Sequence, residues 1–191
     1  MGPVYAALVH HSMLDKQGKV VTTSITNLDI HDISRSARTF GIQGYFLVNP
    51  EEEQANIARR IMAHWNTGGG RDYNPDRTEA FKRTRLVAWL SDAVEAIAAE
   101  CEGERPRLVM TTARNIPGLA TATFASLREE IESGNRPTLL VFGTGWGMEE
   151  SLLRTADVVL EPIRPRCESN YLHLSVRAAA VIVFDRLLGA R

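Results

Sequence analysis

The chain has 191 residues, 44% of them apolar and 24% charged, and a formal net charge of −1. These values describe one globular domain over residues 1–191, long enough for a sizeable core, and exclude disordered and membrane chains. They also exclude strong nonspecific nucleic-acid binding through overall charge, so any basic surface has to be local.

No apolar segment free of charges reaches the length of a membrane span, and the first residues lack a basic region followed by a long apolar one. No membrane partner is expected, and the expected compartment is the cytoplasm. Cys101 and Cys167 are far apart and form no C-x-x-C pattern, so reduced thiols are expected and no metal site.

In chain order, residues 4–11 read as an apolar strand and residues 12–26 as a polar loop. Asn27 reads as the N-cap of a helix that stops at Gly41, with Asp29 and Asp32 in its first turn. Ile30, Ile33, Ala37 and Phe40 form its apolar stripe, while His31, Arg35 and Arg38 lie on the opposite face, with plain solvation as the bland alternative. Residues 44–49 form the second strand, and residues 50–63 a helix with Pro50 near its first turn. Residues 64–85 show neither period and are expected as a long loop. There Arg71, Arg77, Lys82, Arg83 and Arg85 are interleaved with Tyr73 and Phe81, a mixture suited to phosphates and stacked bases, against the alternative of a surface excursion.

Residues 86–90 read as the third strand, and Ser91 with Asp92 caps a helix running to about Glu102. Residues 107–112 form the fourth strand, and a helix over about 123–133 leads to the fifth at 138–142. The sixth spans 157–162, and the last helix about 173–188. The alternation predicts an α/β fold: a mainly parallel six-stranded sheet with helices on both faces. Residues 178–184, with Leu187 and Leu188, leave the last helix almost no polar side, so it is expected to be buried all round by a partner subunit or by the chain's own loops.

The fifth strand ends in Gly143-Thr144-Gly145-Trp146-Gly147, where three glycines at alternate positions let a ligand approach the backbone closely. Neither a P-loop nor a dinucleotide fingerprint has this spacing. Glu149 and Glu150 behind it would repel a pyrophosphate, so the bound part of a ligand is expected to be neutral or cationic, as in an adenosine carrying a sulfonium. The bare side of Gly145 is where such a ligand is expected to lie, and a tight turn without a ligand is the alternative.

Several segments together carry a family likeness. They are the strand and turn just described, the strand-proline step Leu160-Glu161-Pro162-Ile163, and the run Asn170-Tyr171-Leu172-His173-Leu174-Ser175-Val176-Arg177 that opens the last helix. To these is added Asn27-x-Asp29 followed by Ile33-Ser34-Arg35-Ser36-Ala37-Arg38-Thr39-Phe40-Gly41. The chain resembles the SPOUT, or α/β-knot, RNA methyltransferases, and in particular small bacterial members grouped with the tRNA guanine-N1 enzymes.

That resemblance implies a C-terminal trefoil knot in about residues 106–191 that binds S-adenosylmethionine through three loops. Carried over by position, they hold Thr111, Thr112 and Ala113; Phe142, Gly143, Thr144, Gly145, Trp146 and Gly147; and Ile163, Tyr171, Leu172, Leu174 and Ser175. It also implies a homodimer packed through the last helix and an RNA substrate, tRNA or rRNA. Arg38, Arg35 and His173 are the expected catalytic residues, with Arg38 favoured among them. Asn27, Arg71, Arg77, Lys82, Arg83 and Arg114 are the expected RNA contacts. Two departures leave the methylated atom open: His173 stands where the ribose-methylating branch carries asparagine, and with the last helix running into Arg191 the separate RNA-binding domain of the guanine-N1 branch is not expected. The rival readings are a knotted RNA-binding module without catalysis and an unknotted nucleotide-binding α/β enzyme, the latter opposed by the missing phosphate fingerprint.

Overall fold

The computed structural model describes residues 1–168 and 171–190. Strand β1 (Val4–Val9) is buried along its whole length, as a continuous apolar run inside a parallel sheet must be. Its side chains alternate between two cores, Val4, Ala6 and Leu8 on one face and Tyr5, Ala7 and Val9 on the other. Residues 12–26, expected as a loop, contain an antiparallel hairpin of β2 (Met13–Leu14) and β3 (Val20–Val21). Met13 is completely buried, which anchors the hairpin to the sheet.

Helix α1 (Asn27–Thr39) begins one residue earlier than expected, because Thr26 is the N-cap and Asn27 lies inside the helix. The Thr26 hydroxyl accepts from the Asp29 N–H at 3.2 Å and donates to the Asp29 carboxylate at 2.7 Å. A β-branched residue suits the extended cap backbone while supplying the oxygen that the first turn needs.

After β4 (Tyr45–Val48), helix α2 (Glu52–Asn66) runs one turn beyond the expected end. The expected loop over residues 64–85 is then replaced by α3 (Gly70–Tyr73), α4 (Pro75–Phe81) and β5 (Thr84–Val87). Asn74 caps α4 by accepting from the Arg77 N–H at 3.0 Å, with Pro75 pre-set in the first turn. Burial of Ala80 and Phe81 fixes the helix to the core. Strand β5 starts two residues before the expected place, since Thr84 is buried with its hydroxyl 2.7 Å from that of Ser34.

Helix α5 (Leu90–Glu100) is capped at Trp89, whose N–H donates to Asp92 at 2.8 Å. Then come β6 (Arg107–Thr111), β7 (Thr121–Ala122), α6 (Phe124–Ser133), β8 (Thr138–Phe142), α7 (Glu150–Leu153), β9 (Val158–Leu160) and α8 (Val176–Leu188). The sheet has seven strands, not six, in the order β5-β4-β1-β8-β6-β9-β7, and every pairing in it is parallel. The additional strand, β7, is a two-residue edge too short to carry a period.

Helices α1, α6 and α8 cover one face, joined by Ala58 and Phe81, and α5, α7 and Met13 cover the other. Among the described residues no helix is long and apolar enough to cross a membrane, and no cluster of three or more His, Cys, Asp or Glu could hold a metal. Cys101 and Cys167 are free thiols.

Within its own chain, helix α8 is buried on one side. Ala180, Val183, Phe184 and Leu187 face the core, with Phe184 edge-on to Phe142 at 5.8 Å, while Val181 is 37% exposed. Its start is fixed by charge: Arg177 Nη1 lies 3.0 Å from Asp29 and Nε 3.4 Å from Asp32. The Asp29 side chain is 6% exposed, so removing its cation strands a carboxylate away from water. Arg177→Ala should lower unfolding free energy by about 3 kcal/mol, the low end of the range for breaking a buried pair because the arginine is partly solvated. Urea denaturation measures it, and Asp29→Asn in the same chain should recover part of the loss.

Candidate functional site

Strands β8, β6 and β9 are neighbours and parallel, so the loops that leave them gather at one edge of the sheet. That edge is where open α/β sheets bind ligands. The loops are residues 112–120, residues 143–149 and residues 161–175, which with the strand ends Thr111 and Phe142 contain the residues expected to hold the cofactor. Asn170, which opens the last of the sequence motifs, lies outside the described residues.

The glycine turn is held against the hairpin by backbone bonds. Leu14 N–H donates to Gly147 O at 2.8 Å, Trp146 N–H to Leu14 O at 3.1 Å, and Glu149 N–H to Ser12 O at 2.8 Å. The Thr144 hydroxyl donates to Val9 O at 3.2 Å. Gly145 and Gly147 have φ of +59° and +101°, backbone that side chains disfavour. A Cβ on Gly145 would meet Leu14 O and Thr23 Cγ2 at 3.2 Å, so its bare side faces the hairpin and not a ligand. Phe142 is likewise not a contact residue through its ring, which is buried against Phe184.

Two arginines tie the loops together. Arg114, expected at RNA, is folded over the turn, donating to Met148 O at 2.8 Å beside Gly147. Arg164, which the sequence reading passed over, donates to Ala113 O at 3.4 Å. Thr111 donates to Val141 O at 3.0 Å, and the Thr112 hydroxyl accepts from the Arg114 N–H at 3.1 Å. Ile163 packs on the core beside α8. Ser175 is the N-cap of α8, accepting from the Ala178 N–H at 3.3 Å. That cap puts His173 outside the helix, exposed and edge-on to Tyr171 at 5.3 Å, with Leu172 half-buried between them.

Chemically, this edge offers backbone groups, the exposed side chains of Trp146 and Leu174, and a guanidinium at Arg114. Glu150 is paired with Arg154 at 3.0 Å, so the turn is less acidic than its sequence reads. The set lacks the lysine of a triphosphate site and suits a nucleoside bearing a zwitterionic tail, which S-adenosylmethionine is.

A second region lies among α1, α2 and α4, where a groove of about 770 Å³ is lined by Asn27, His31, Arg35, Arg60, His64, Trp65 and Arg77, with Asp32 among them. Asn27, Arg35 and Arg77 from the expected site set meet here. Arg38 does not: it pairs with Glu79 at 3.2 Å, and Lys82 pairs with the same carboxylate at 2.7 Å. Arg83 donates to Ile42 O at 3.0 Å, Arg85 pairs with Glu100, and Arg71 is exposed on α3. The basic segment is therefore largely satisfied by the protein itself. Arg60 and His64 went unremarked in the sequence; their spacing of four, like that of His31 and Arg35, is a signal once α2 is carried through to Asn66.

The chain is 44% identical over 186 residues to a tRNA (guanine-N(1)-)-methyltransferase of Nitratidesulfovibrio vulgaris, covering 97% of this chain and 42% of that protein. It thus spans less than half the length of that relative. An uncharacterized protein of Aquifex aeolicus is 42% identical over 184 residues, covering 96% of this chain and 87% of its own length. Among solved structures, TrmJ from Z. mobilis shares the fold with a TM-score of 0.61 at 15% identity, covering all of this chain (100%) and 70% of that one. Residues 3–189 match the family model described as SAM-dependent RNA methyltransferase, and the chain belongs to that family, of the SPOUT type its motifs resemble.

Proposed function

We propose that this chain transfers a methyl group from S-adenosylmethionine to a nucleotide of a structured RNA, with tRNA the first candidate on the strength of its named relative. The observation that carries the reading is the meeting of three loops, cross-tied by Arg114 and Arg164, at the carboxyl edge of β8, β6 and β9. Bound there, S-adenosylmethionine supplies a methyl group made electrophilic by its sulfonium.

The chain's own work is positioning. Backbone groups of residues 143–147 hold the donor, and Trp146 and Leu174 exclude water from it. Arg35, open to the groove, holds the acceptor strand through its phosphate or polarises the acceptor base. A ring nitrogen of His173, exposed beside the third loop, takes the acceptor's proton where the acceptor carries one. Arg38, committed to Glu79, supports α4 instead.

The same reading includes the knot and the homodimer. Strand β9 lies between β6 and β7, which residues 112–120 join, so the chain leaves Leu160 beside that connection on its way to α8. This arrangement supports a threaded C-terminus. Val181, exposed on the outer side of α8, is an apolar side chain that a second copy would cover in a two-fold dimer.

Arg35→Ala should leave S-adenosylhomocysteine affinity within about twofold by calorimetry while reducing tritiated methyl incorporation into RNA from a deletion strain by about 100-fold or more. Arg38→Ala should cost that rate less than about threefold, and the opposite ranking would return the acceptor role to Arg38. Wild-type cofactor binding without incorporation into any RNA fraction would favour the noncatalytic RNA-binding module. For the dimer, Val181→Glu should give a folded monomer by light scattering. Val183→Glu is no test of it, because Val183 is 2% exposed within its own chain.

A further inference from the structure

The groove between α1, α2 and α4 has features that Arg35's role does not use. Five cationic or protonatable side chains line it, His31, Arg35, Arg60, His64 and Arg77, against a single carboxylate, Asp32, which Arg177 holds at 3.4 Å. His31 Nδ1 and Arg77 Nε are buried and have no hydrogen-bond partner. The Arg77 guanidinium stays charged, so its Nε is an unpaired buried donor, a state that is rare in native proteins because it costs about 1–3 kcal/mol.

These groups are also held in place before any ligand arrives. The Arg77 guanidinium lies 4.4 Å over the Trp65 ring, while His31 and His64 meet the same ring edge-on at 5.5 and 4.9 Å. Phe81 closes on His31 from below at 5.0 Å. Gly70 lets the chain press on this cluster: a Cβ there would meet Trp65 Cε3 at 2.7 Å and His64 at 2.9 Å. Rigid aromatic support of this kind cuts the ordering cost of binding.

We propose that this groove is a phosphate-binding site for the RNA chain, in which Arg60, His64 and Arg77, with His31, receive a phosphodiester next to the nucleotide that Arg35 addresses. The inference rests on the RNA methyl-transfer reading above. Continuity supports it, since Asp32 lines the groove and touches Arg177 in the first turn of α8, directly after the third cofactor loop. Planar guanidinium forks match phosphate oxygens, and Trp65 keeps one of them oriented.

Burial first, then the charges of Arg77, Arg35 and His64, hold the His31 imidazole below its ordinary value, with Asp32 opposing. A facing phosphate favours the charged form, so docking takes up a proton. RNA affinity should therefore fall as pH rises above the lowered value of free His31 toward and through the ordinary histidine range.

The test is anisotropy binding of unmodified tRNA to the full chain with S-adenosylhomocysteine present, across about 50 to 300 mM KCl. Arg60→Gln and His64→Gln should each weaken binding by roughly fivefold, and Arg60→Gln should flatten the slope of log affinity against log salt by about 0.8. Arg59→Gln removes the same charge one residue away, where the arginine pairs with Glu52 at 2.7 Å, and should leave the slope unchanged. Equal slopes for Arg59→Gln and Arg60→Gln with methyl transfer intact would overturn the groove alone. Absence of tRNA binding by the unsubstituted chain would overturn tRNA as the substrate and this proposal with it. A parallel titration with pyrophosphate separates the sources of phosphate. Binding that depends on Arg60 and His64 while tRNA affinity does not would assign the groove to a small phosphate ligand and overturn the RNA proposal.

Discussion

A carboxylate with 6% of its side chain exposed has to be compensated locally, and Asp29 draws its partners from two ends of the chain. Thr26 donates to it from the cap of α1, and Arg177 from the first turn of α8, 148 residues further on. The start of α1 is thereby held against the start of α8. Helix α1 presents His31 and Arg35 to the groove, and α8 terminates the loop of residues 161–175 at the cofactor edge. Because Arg177 also reaches Asp32, one small ion cluster sets the distance between the groove and the sheet edge. Desolvation makes such a cluster weak evidence for net stability. Its consequence is positional, since a shift of α8 along α1 would break both contacts.

The two sides use different chemistry. At the sheet edge, main-chain groups dominate, and the glycines serve packing as much as approach: a Cβ on Gly143 would lie 2.8 Å from Met148 Cγ. The hairpin that braces this turn depends in turn on buried Met13. In the groove, charged side chains on three helices dominate, supported by Trp65 and Phe81. A backbone site tolerates side-chain change poorly because glycine cannot be replaced there, whereas a charge site degrades in graded steps as individual cations are removed.

The pattern of legibility in the sequence follows from this. Buried parallel strands announce themselves as apolar runs, so β1, β4, β6 and β8 were readable, and the turn after β8 could be located by its glycines. Strand β7 has two residues and no period to read. The segment over residues 64–85 read as a loop because its helices are short and bury little beyond Gly70, Ala80 and Phe81, although Asn74-Pro75 is a cap signal that spacing alone contains. Arg35 and Arg38 sit three apart on one helix and cannot be told apart by pattern. The discriminating partner, Glu79, is 41 residues from Arg38 and becomes visible only when α4 packs on α1. The last helix is a different case: its alanines and valines read as apolar on every side, and within the chain α1 and α6 cover one side of it.

Orphan donors mean different things in different places, and the contrast within this chain is instructive. His10 Nε2 also has no hydrogen-bond partner, but His10 is wholly enclosed, with Nδ1 3.2 Å from Val48 O. Burial lowers its basicity, so the ring is neutral and the bare Nε2 is an acceptor lone pair at modest cost. Arg77 has no such escape, because its guanidinium stays charged and Nε carries a proton that nothing receives. Its groove is open to a ligand, whereas the His10 site is not. The charged donor thus lies beside an open, aromatic-walled groove and the neutral one in a closed core, and His31 and His64 pack on the same Trp65 ring that carries the Arg77 guanidinium.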